Sequence, residues 1–248
     1  MKNIASLITV RTGSSRLPGK CLLPFGGMNV LEHNIERAKY FNLNPIVCTT
    51  SREEDNIIIE ICKKNNVPYF RGPEKNKILR WYQCMKSFEL DLIHTIDADD
   101  PFFCPNEINK SLNSVNQTSK NPTVIFPSKA SMNGAASVGF TFNKSSLEII
   151  LKEIEDNDDT EMIEPFIDKA NTLNKIFLTG SDINHKIHRL TLDYEEDYFF
   201  LLCLKAALGT YASRVEINNF ISKFPKSKEI NEARESDWIK NQNRSKRH

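Results

Sequence analysis

Short apolar runs rich in β-branched residues recur through the first hundred positions, separated by stretches with helical spacing, and this alternation limits the possible folds more than any other feature. Ile4 to Val10, Pro45 to Thr50, Pro68 to Gly72 and Leu92 to Ile96 have the length and composition of buried strands. Between them, Leu31, Ile35 and Ala38 mark a helix in LEHNIERAKYF, and Ile78, Tyr82 and Met85 mark another in KILRWYQCMKSF. The segment EEDNIIIEICKKNN has an acidic first turn and a basic last turn, as the helix dipole prefers, with Ser51 placed as its N-cap. Such alternation predicts an α/β fold with a mostly parallel sheet and helices on both faces. At 248 residues the chain suits one large domain, or a domain with a sub-domain.

Ligands on such sheets sit beyond the carboxyl ends of the strands, and two loops there carry chemistry. Val10 ends the first run and leads into Arg11, Thr12, Gly13, Ser14, Ser15 and Arg16, followed by Leu-Pro-Gly and Lys20. Gly13 lets the backbone approach a ligand, successive N–H groups can form an anion nest, and Arg11, Arg16 and Lys20 offset phosphate charge. The loop has neither Walker A nor Rossmann glycine spacing, so on its residues alone it is a polyphosphate cradle or a solvated basic loop. The fourth run ends in Asp97-Ala98-Asp99-Asp100-Pro101. Three carboxylates in four residues repel one another, and a divalent ion such as magnesium is their natural counter-charge; a solvated turn in which Asp97 or Asp100 caps the next helix is the alternative.

The second half is less regular. Thr123 to Phe126 and Ala136 to Phe142 look like strands around an Asn133-Gly134 turn, and helices follow near 144–156 and 160–170. Leu190 to Asp193 reads as another strand before an apolar helix in YFFLLCLKAAL, and residues 241–248 read as a basic flexible tail. Net charge is +1, which argues against broad nucleic-acid binding, and no apolar run is long enough to span a membrane. Six scattered cysteines without a CxxC pair argue for reduced thiols and a cytoplasmic setting; Cys21 and Cys104, beside the two loops, read as packing residues. His33 and His94 read as core or boundary residues, and His185 and His188 as surface or packing residues.

The segment Arg11, Ser14, Arg16, Leu17, Pro18, Gly19, Lys20, set after an N-terminal strand, resembles the signature loop of the sugar-acid cytidylyltransferases, including the 3-deoxy-manno-octulosonate and acylneuraminate enzymes and the spore-coat polysaccharide biosynthesis protein F group. Ala98-Asp99-Asp100-Pro101 fits that family's small residue–Asp–x–Pro motif, and Arg189-Leu190-Thr191-Leu192-Asp193 resembles its late Arg-x-Thr-x-Asp segment. The resemblance implies a Rossmann-like nucleotidyltransferase fold in which the loop wraps the triphosphate of CTP. It makes Arg16, Lys20 and Asp99 catalytic and gives Asp99 and Asp193 to a Mg2+ ion. Asp97 departs from the pattern, since the relatives usually carry glutamine or threonine there. A similar Phe-Arg-Gly leading into a helix with Arg-x-Tyr puts Arg71 at the nucleotide and Arg80 near the substrate. Arg189 meets an acidic substrate or a phosphate, or else makes a structural ion pair, and Asp197 complements the start of the following helix.

The implied protein is a CTP-dependent cytidylyltransferase that transfers CMP to an acidic sugar or related acid and releases pyrophosphate, within cell-surface polysaccharide or glycoconjugate precursor synthesis. Alternatives are a phosphate or phosphonate acceptor, or a non-catalytic nucleotide-sugar binding protein. The same resemblance implies a single nucleotidyltransferase domain over 1–240, a protruding acceptor and dimerisation sub-region at about 120–180, and a homodimer.

Overall fold

A computed structural model describes residues 2–117, 121–132, 139–155, 158–179 and 188–245. The first half follows the predicted alternation: β1 (Ile4–Thr9), α1 (Val30–Tyr40), β2 (Pro45–Thr50), α2 (Asn56–Lys64), β3 (Tyr69–Gly72), α3 (Lys77–Ser87), β4 (Leu92–Asp97) and α4 (Pro105–Gln117). After these come β5 (Thr123–Phe126), α5 (Lys129–Met132), β6 (Thr141–Asn143), α6 (Lys144–Ile150), α7 (Glu164–Lys169) and β7 (Asn174–Phe177). Four helices close the chain: α8 (Glu195–Leu208), α9 (Arg214–Lys223), α10 (Glu229–Glu232) and α11 (Arg234–Ser245).

The strands form one seven-stranded sheet in the order β3-β2-β1-β4-β6-β5-β7, parallel except for β6, which runs against β4 and β5. Alternate residues of each strand feed opposite faces. Ala5, Leu7, Ile46, Cys48 and Ile93 pack with Trp81, Leu147 and Phe166 from α3, α6 and α7. Ile8, Val47 and Ile96 pack with Leu31, Ile58 and Ile108 from α1, α2 and α4. A separate cluster joins Phe25 and Phe102 to Leu190, Leu192, Phe200 and Ile217, and it holds α8 and α9 against the loops at the carboxyl edge. Local signals support these elements. In α1, Asn29 accepts from Glu32 N–H while the Glu32 carboxylate accepts from Asn29 N–H, a reciprocal cap of about 1 kcal/mol.

Several expectations need correction. Ser51 does not cap α2: a short 3-10 turn over Glu53–Asp55 precedes that helix, and Asp55 is bonded elsewhere. Leu190 to Asp193 is not a strand. Its apolar alternation is used inside a loop-facing core, and Leu192 N–H bonds to Asp99 C=O at 2.7 Å, a contact to a turn that cannot extend into a ladder. Among the described residues, the region at about 120–180 supplies β5, β6 and β7 to the common sheet. The strand expected from Ala136 begins only at Thr141, and Asn133-Gly134 and residues 136–138 lie outside the described residues, as does His185. The supposed tail from 241 continues α11 to Ser245, since nothing in KNQNRS breaks a helix.

Candidate active site

The sheet changes direction of winding between β1 and β4, because the chain first builds outward through β2 and β3 and then returns to the other side of β1. That switch opens a crevice at the carboxyl edge. Thr9 is in register with Asp97, so the loop after β1 and the acidic turn after β4 leave the sheet side by side.

The loop after β1 is held by few contacts. Thr12 C=O accepts from Ser14 N–H at 3.0 Å and Gly19 N–H at 3.2 Å. Gly19 has φ 65°, in the left-handed region, and starts the 3-10 turn that presents Lys20. From outside the loop, Asp55 Oδ1 accepts from both the N–H and the hydroxyl of Thr12 at 2.8 Å, while its other oxygen accepts from Thr50. Asp55 is buried and 43 positions from Thr12, and no local sequence signal announces this anchor. The N–H groups of Gly13, Ser15 and Arg16 make no hydrogen bonds among the described residues, which leaves the loop backbone able to receive an anion. Val10 is buried beneath the loop; Ser14 Oγ accepts a long 3.4 Å bond from Leu17 N–H, and Ser15 is exposed.

Residues from the three motifs meet at one ammonium group. Lys20 Nζ donates to Asp99 Oδ2 at 2.6 Å, Asp193 Oδ1 at 2.9 Å and Leu192 C=O at 2.9 Å. Those bonds, 2.6 and 2.9 Å laid end to end, limit the separation of the two carboxylate oxygens to about 5.5 Å. Arg16 also donates to Asp193 Oδ1 at 2.6 Å and lies over the Tyr194 ring. Burial lowers the affinity of Lys20 for its proton, but Asp99 and Asp193 outweigh it and raise the pKa above the usual lysine value. Burial likewise works against the Asp193 anion, but Lys20, Arg16 and Arg189 hold its carboxyl below the ordinary range. Asp100 is the reverse case. Burial, reinforced by Asp99, Asp97 and Asp193, pushes its carboxyl well above the ordinary value, so the acidic turn need not carry three charges.

The remaining arginines are occupied. Arg71 donates to Thr50 C=O, Asn56 Oδ1 and Arg52 C=O, bracing the segment that carries Asp55 rather than facing the loop. Arg80 is buried and closes the turn at Pro73 and Glu74. Arg189 forms a two-bond pair with Asp197 at 2.7 and 2.8 Å, the structural option of the two left open by the sequence. Asp197 also accepts from the N–H groups of Asp193 and Tyr194, so it fixes the backbone that carries the Asp193 carboxylate. Burial pushes the Cys21 thiol up to about 12, consistent with packing, and all six cysteines are free. His33 and His94 are buried in the core.

A second charged group lies beside the first, and two of its four members, Lys77 and Glu161, were missed in the sequence. Lys77, the first residue of α3, points its ammonium to Asp97 Oδ1 at 3.6 Å and Glu161 Oε1 at 4.0 Å; Arg11 reaches Glu161 Oε2 at 3.3 Å. Helical periodicity makes Lys77 an ordinary helix start, and nothing local connects Glu161 with a loop 150 positions away.

Residues 5–228 match the family described as Cytidylyltransferase. The chain is 32% identical over 233 residues to an uncharacterized protein of Methanocaldococcus jannaschii, covering 92% of this chain and 94% of that one. It is 25% identical to the spore coat polysaccharide biosynthesis protein SpsF of Bacillus subtilis, over 84% of this chain and 89% of the relative. A solved cytidylyltransferase structure from Leptospira borgpetersenii serovar Hardjo-bovis is similar with a TM-score of 0.82 and 26% identity, covering 92% of this chain and 97% of that one.

Proposed function

The chain belongs to the cytidylyltransferase family, and from that premise we propose that it uses CTP to transfer CMP to an acidic sugar or related acid, releasing pyrophosphate. The observation that carries this reading is the meeting of Arg16, Lys20, Asp99 and Asp193 beside a loop with free backbone donors. In the proposed reaction an acceptor oxygen attacks the α-phosphorus of CTP. The new P–O bond forms as the bond from the α-phosphorus to the β-phosphate oxygen breaks; pyrophosphate carries that electron pair away, and a hydroxyl acceptor gives up its proton to solvent. No covalent enzyme intermediate is needed. Loop N–H groups and Arg16 and Lys20 would hold the triphosphate and neutralise the leaving group, which is positional and electrostatic catalysis.

Asp99 and Asp193 would hold magnesium, which when bound supplies charge neutralisation at phosphate oxygens. The donor set fits: two hard carboxylates converge, and magnesium commonly takes one or two carboxylates together with substrate phosphates and water. Among the described residues no group of three His, Cys, Asp or Glu could hold an ion by protein ligands alone, which favours binding together with the nucleotide. Lys20 is paired with both of these carboxylates and Arg16 with that of Asp193. A polyphosphate that draws the two cations away therefore frees the oxygens that the ion needs. A homodimer acting in the cytoplasm on polysaccharide or glycoconjugate precursors completes the reading, and the similarity to SpsF supports its polysaccharide context.

A pyrophosphate-release assay of the four nucleotides against sugar acids and phosphorylated acids tests it. Turnover with CTP and a sugar acid is expected; turnover restricted to another nucleotide would overturn the base assignment. Turnover only with phosphorylated acceptors would move the acceptor to the phosphate class.

A further inference from the structure

Lys77 is a buried cation that lacks hydrogen bonds to match its charge. Its side chain is 8% exposed, yet among the described residues its ammonium makes none, with its nearest carboxylates at 3.6 and 4.0 Å. Trp81 lies below it, ring centroid 5.3 Å away, and is itself tied to β1 by Nε1–H donating to the Thr9 hydroxyl at 2.9 Å. The ammonium is therefore aimed at the crevice from a rigid floor. Burial disfavours its charge, but Asp97 and then Glu161 keep the pKa above the usual lysine value, so the group remains a cation.

Glu161 spans the opening from a distant part of the chain. Its neighbour Thr160 is hooked to the start of α3: Thr160 N–H donates to Lys75 C=O at 3.0 Å, and its hydroxyl accepts from Ile78 N–H at 3.3 Å. One Glu161 oxygen faces Lys77 at 4.0 Å and the other faces Arg11 at 3.3 Å. Two cations on separate elements are thus spaced to hold the two oxygens of a single carboxylate. Glu161 fills that position loosely, since its side chain is 55% exposed and the Lys77 contact exceeds hydrogen-bond length.

We propose that Arg11 and Lys77 form the receptor for the carboxylate of the acidic acceptor, and that Glu161 is an internal carboxylate which the acceptor displaces. This rests on the acidic-acceptor reading above and adds to it the residues that recognise the acid; it gives Arg11, expected from the sequence to offset phosphate charge, to the acceptor instead, because Arg11 faces Glu161 at 3.3 Å. The exchange preserves local charge, because one carboxylate replaces another beside Arg11, Lys77 and Asp97. A tethered competitor also lowers affinity for the free acid by the fraction of molecules in which it occupies the receptor. The acid is then held next to the Lys20–Asp99–Asp193 group, because Asp97 and Asp99 leave the same strand end.

Trp81 makes the test direct. The chain has two tryptophans, so a Trp238→Phe background leaves Trp81 as the reporter beneath Lys77. The probes are gluconate, a sugar acid, and sorbitol, the same polyol without the acid. Gluconate at millimolar concentration should change Trp81 emission, and sorbitol should not. Glu161→Gln should tighten gluconate about tenfold by removing the internal competitor. Lys77→Met, which keeps the packed aliphatic stem, should abolish the response while leaving CTP binding within about twofold by calorimetry; Lys77→Gln serves the same purpose should the methionine variant not fold. Unchanged or weakened gluconate binding in Glu161→Gln, no gluconate response up to 50-fold higher concentration, or parallel loss of CTP and gluconate in Lys77→Met would each overturn the proposal. Failure of CTP to bind the unsubstituted protein would instead strike the cytidylyltransferase reading, and the gluconate measurements would still judge the receptor.

Discussion

Lys20 and Asp193 depend on each other more than their separate motifs suggest. Asp193 is almost wholly buried and offsets charge on Lys20, Arg16 and Arg189, whereas Asp99 is about a quarter exposed and, among the described residues, pairs with Lys20 alone. Asp193→Asn should therefore lower unfolding stability by roughly 3 kcal/mol in a urea titration, while Asp99→Asn should lower it by about 1 kcal/mol or less. Both should remove most turnover, and the double variant should be little slower than either single one, because groups that act as a unit are non-additive. Independent, additive and modest losses would separate the two carboxylates functionally. Lys20→Met should cut turnover by roughly two orders of magnitude, as expected for loss of one preorganised charge partner. The same substitution should strengthen calorimetric binding of magnesium without nucleotide, since it frees Asp99 Oδ2 and leaves Asp193 Oδ1 held by Arg16 instead of by two cations. An unchanged or weaker magnesium isotherm would argue against the competition between cations described above.

The elements around the site do different work from the residues within it. The loop after β1 takes its shape from Asp55 in the 3-10 turn before α2, through the paired bonds to Thr12. Asp55→Ala should preserve far-ultraviolet circular dichroism yet raise the KM for nucleotide about tenfold or more, because loop ordering would then be charged to binding; a normal KM would show that the loop needs no anchor. Helix α1 contributes a pH dependence through His33. Its Nε2–H donates to Pro101 C=O, its Nδ1 accepts from Lys205, and burial followed by the Lys205 charge lowers its pKa from 6.5 to about 3. Folded His33 stays neutral while the unfolded histidine takes up a proton, so this group's contribution to stability falls as pH drops from about 6.5 toward 3. His33→Gln should flatten the decline in Tm between pH 7 and 5, and a curve parallel to the unsubstituted protein would exclude His33 as its source.

For the protein as one unit, the nucleotide assignment has a thermodynamic consequence. A ligand at a hundredfold excess over Kd stabilises the folded state by about 2.7 kcal/mol, and each kcal/mol moves Tm by about 2–4 °C in a domain of this size. CTP with magnesium should thus raise Tm by about 5–10 °C, with smaller shifts for UTP, ATP and GTP; an equal shift from any of these would remove the base preference. The proposed nucleotide site is composite. The β1 loop, the β4 turn, α3, the segment around Glu161 and the residues before α8 each contribute charge, and the cluster of Phe102, Leu192 and Phe200 binds the last of these to the sheet edge. Deleting the chain beyond α7 would therefore remove Asp193 and one apolar cluster together.

Local chemistry in the sequence determined the alternating first half, the cation-rich loop with Lys20 after the first strand and the acidic turn with Asp99 after the fourth, whereas Asp193 was a candidate only through the resemblance of its segment to a family motif. Strand burial, capping and charge spacing act over a few residues, and they are legible without a fold. Tertiary structure decided which of those charges meet. It turned Arg71, Arg80 and Arg189 to internal bonds, made a loop of the Leu190 to Asp193 run, drew the 120–180 region into the sheet, and brought Asp55 and Glu161 to a loop far from them in sequence. A guanidinium or carboxylate has the same local signature whether it meets a ligand or a backbone carbonyl. Only the packing of distant elements selects its partner, because the partner's distance and burial set the electrostatic energy.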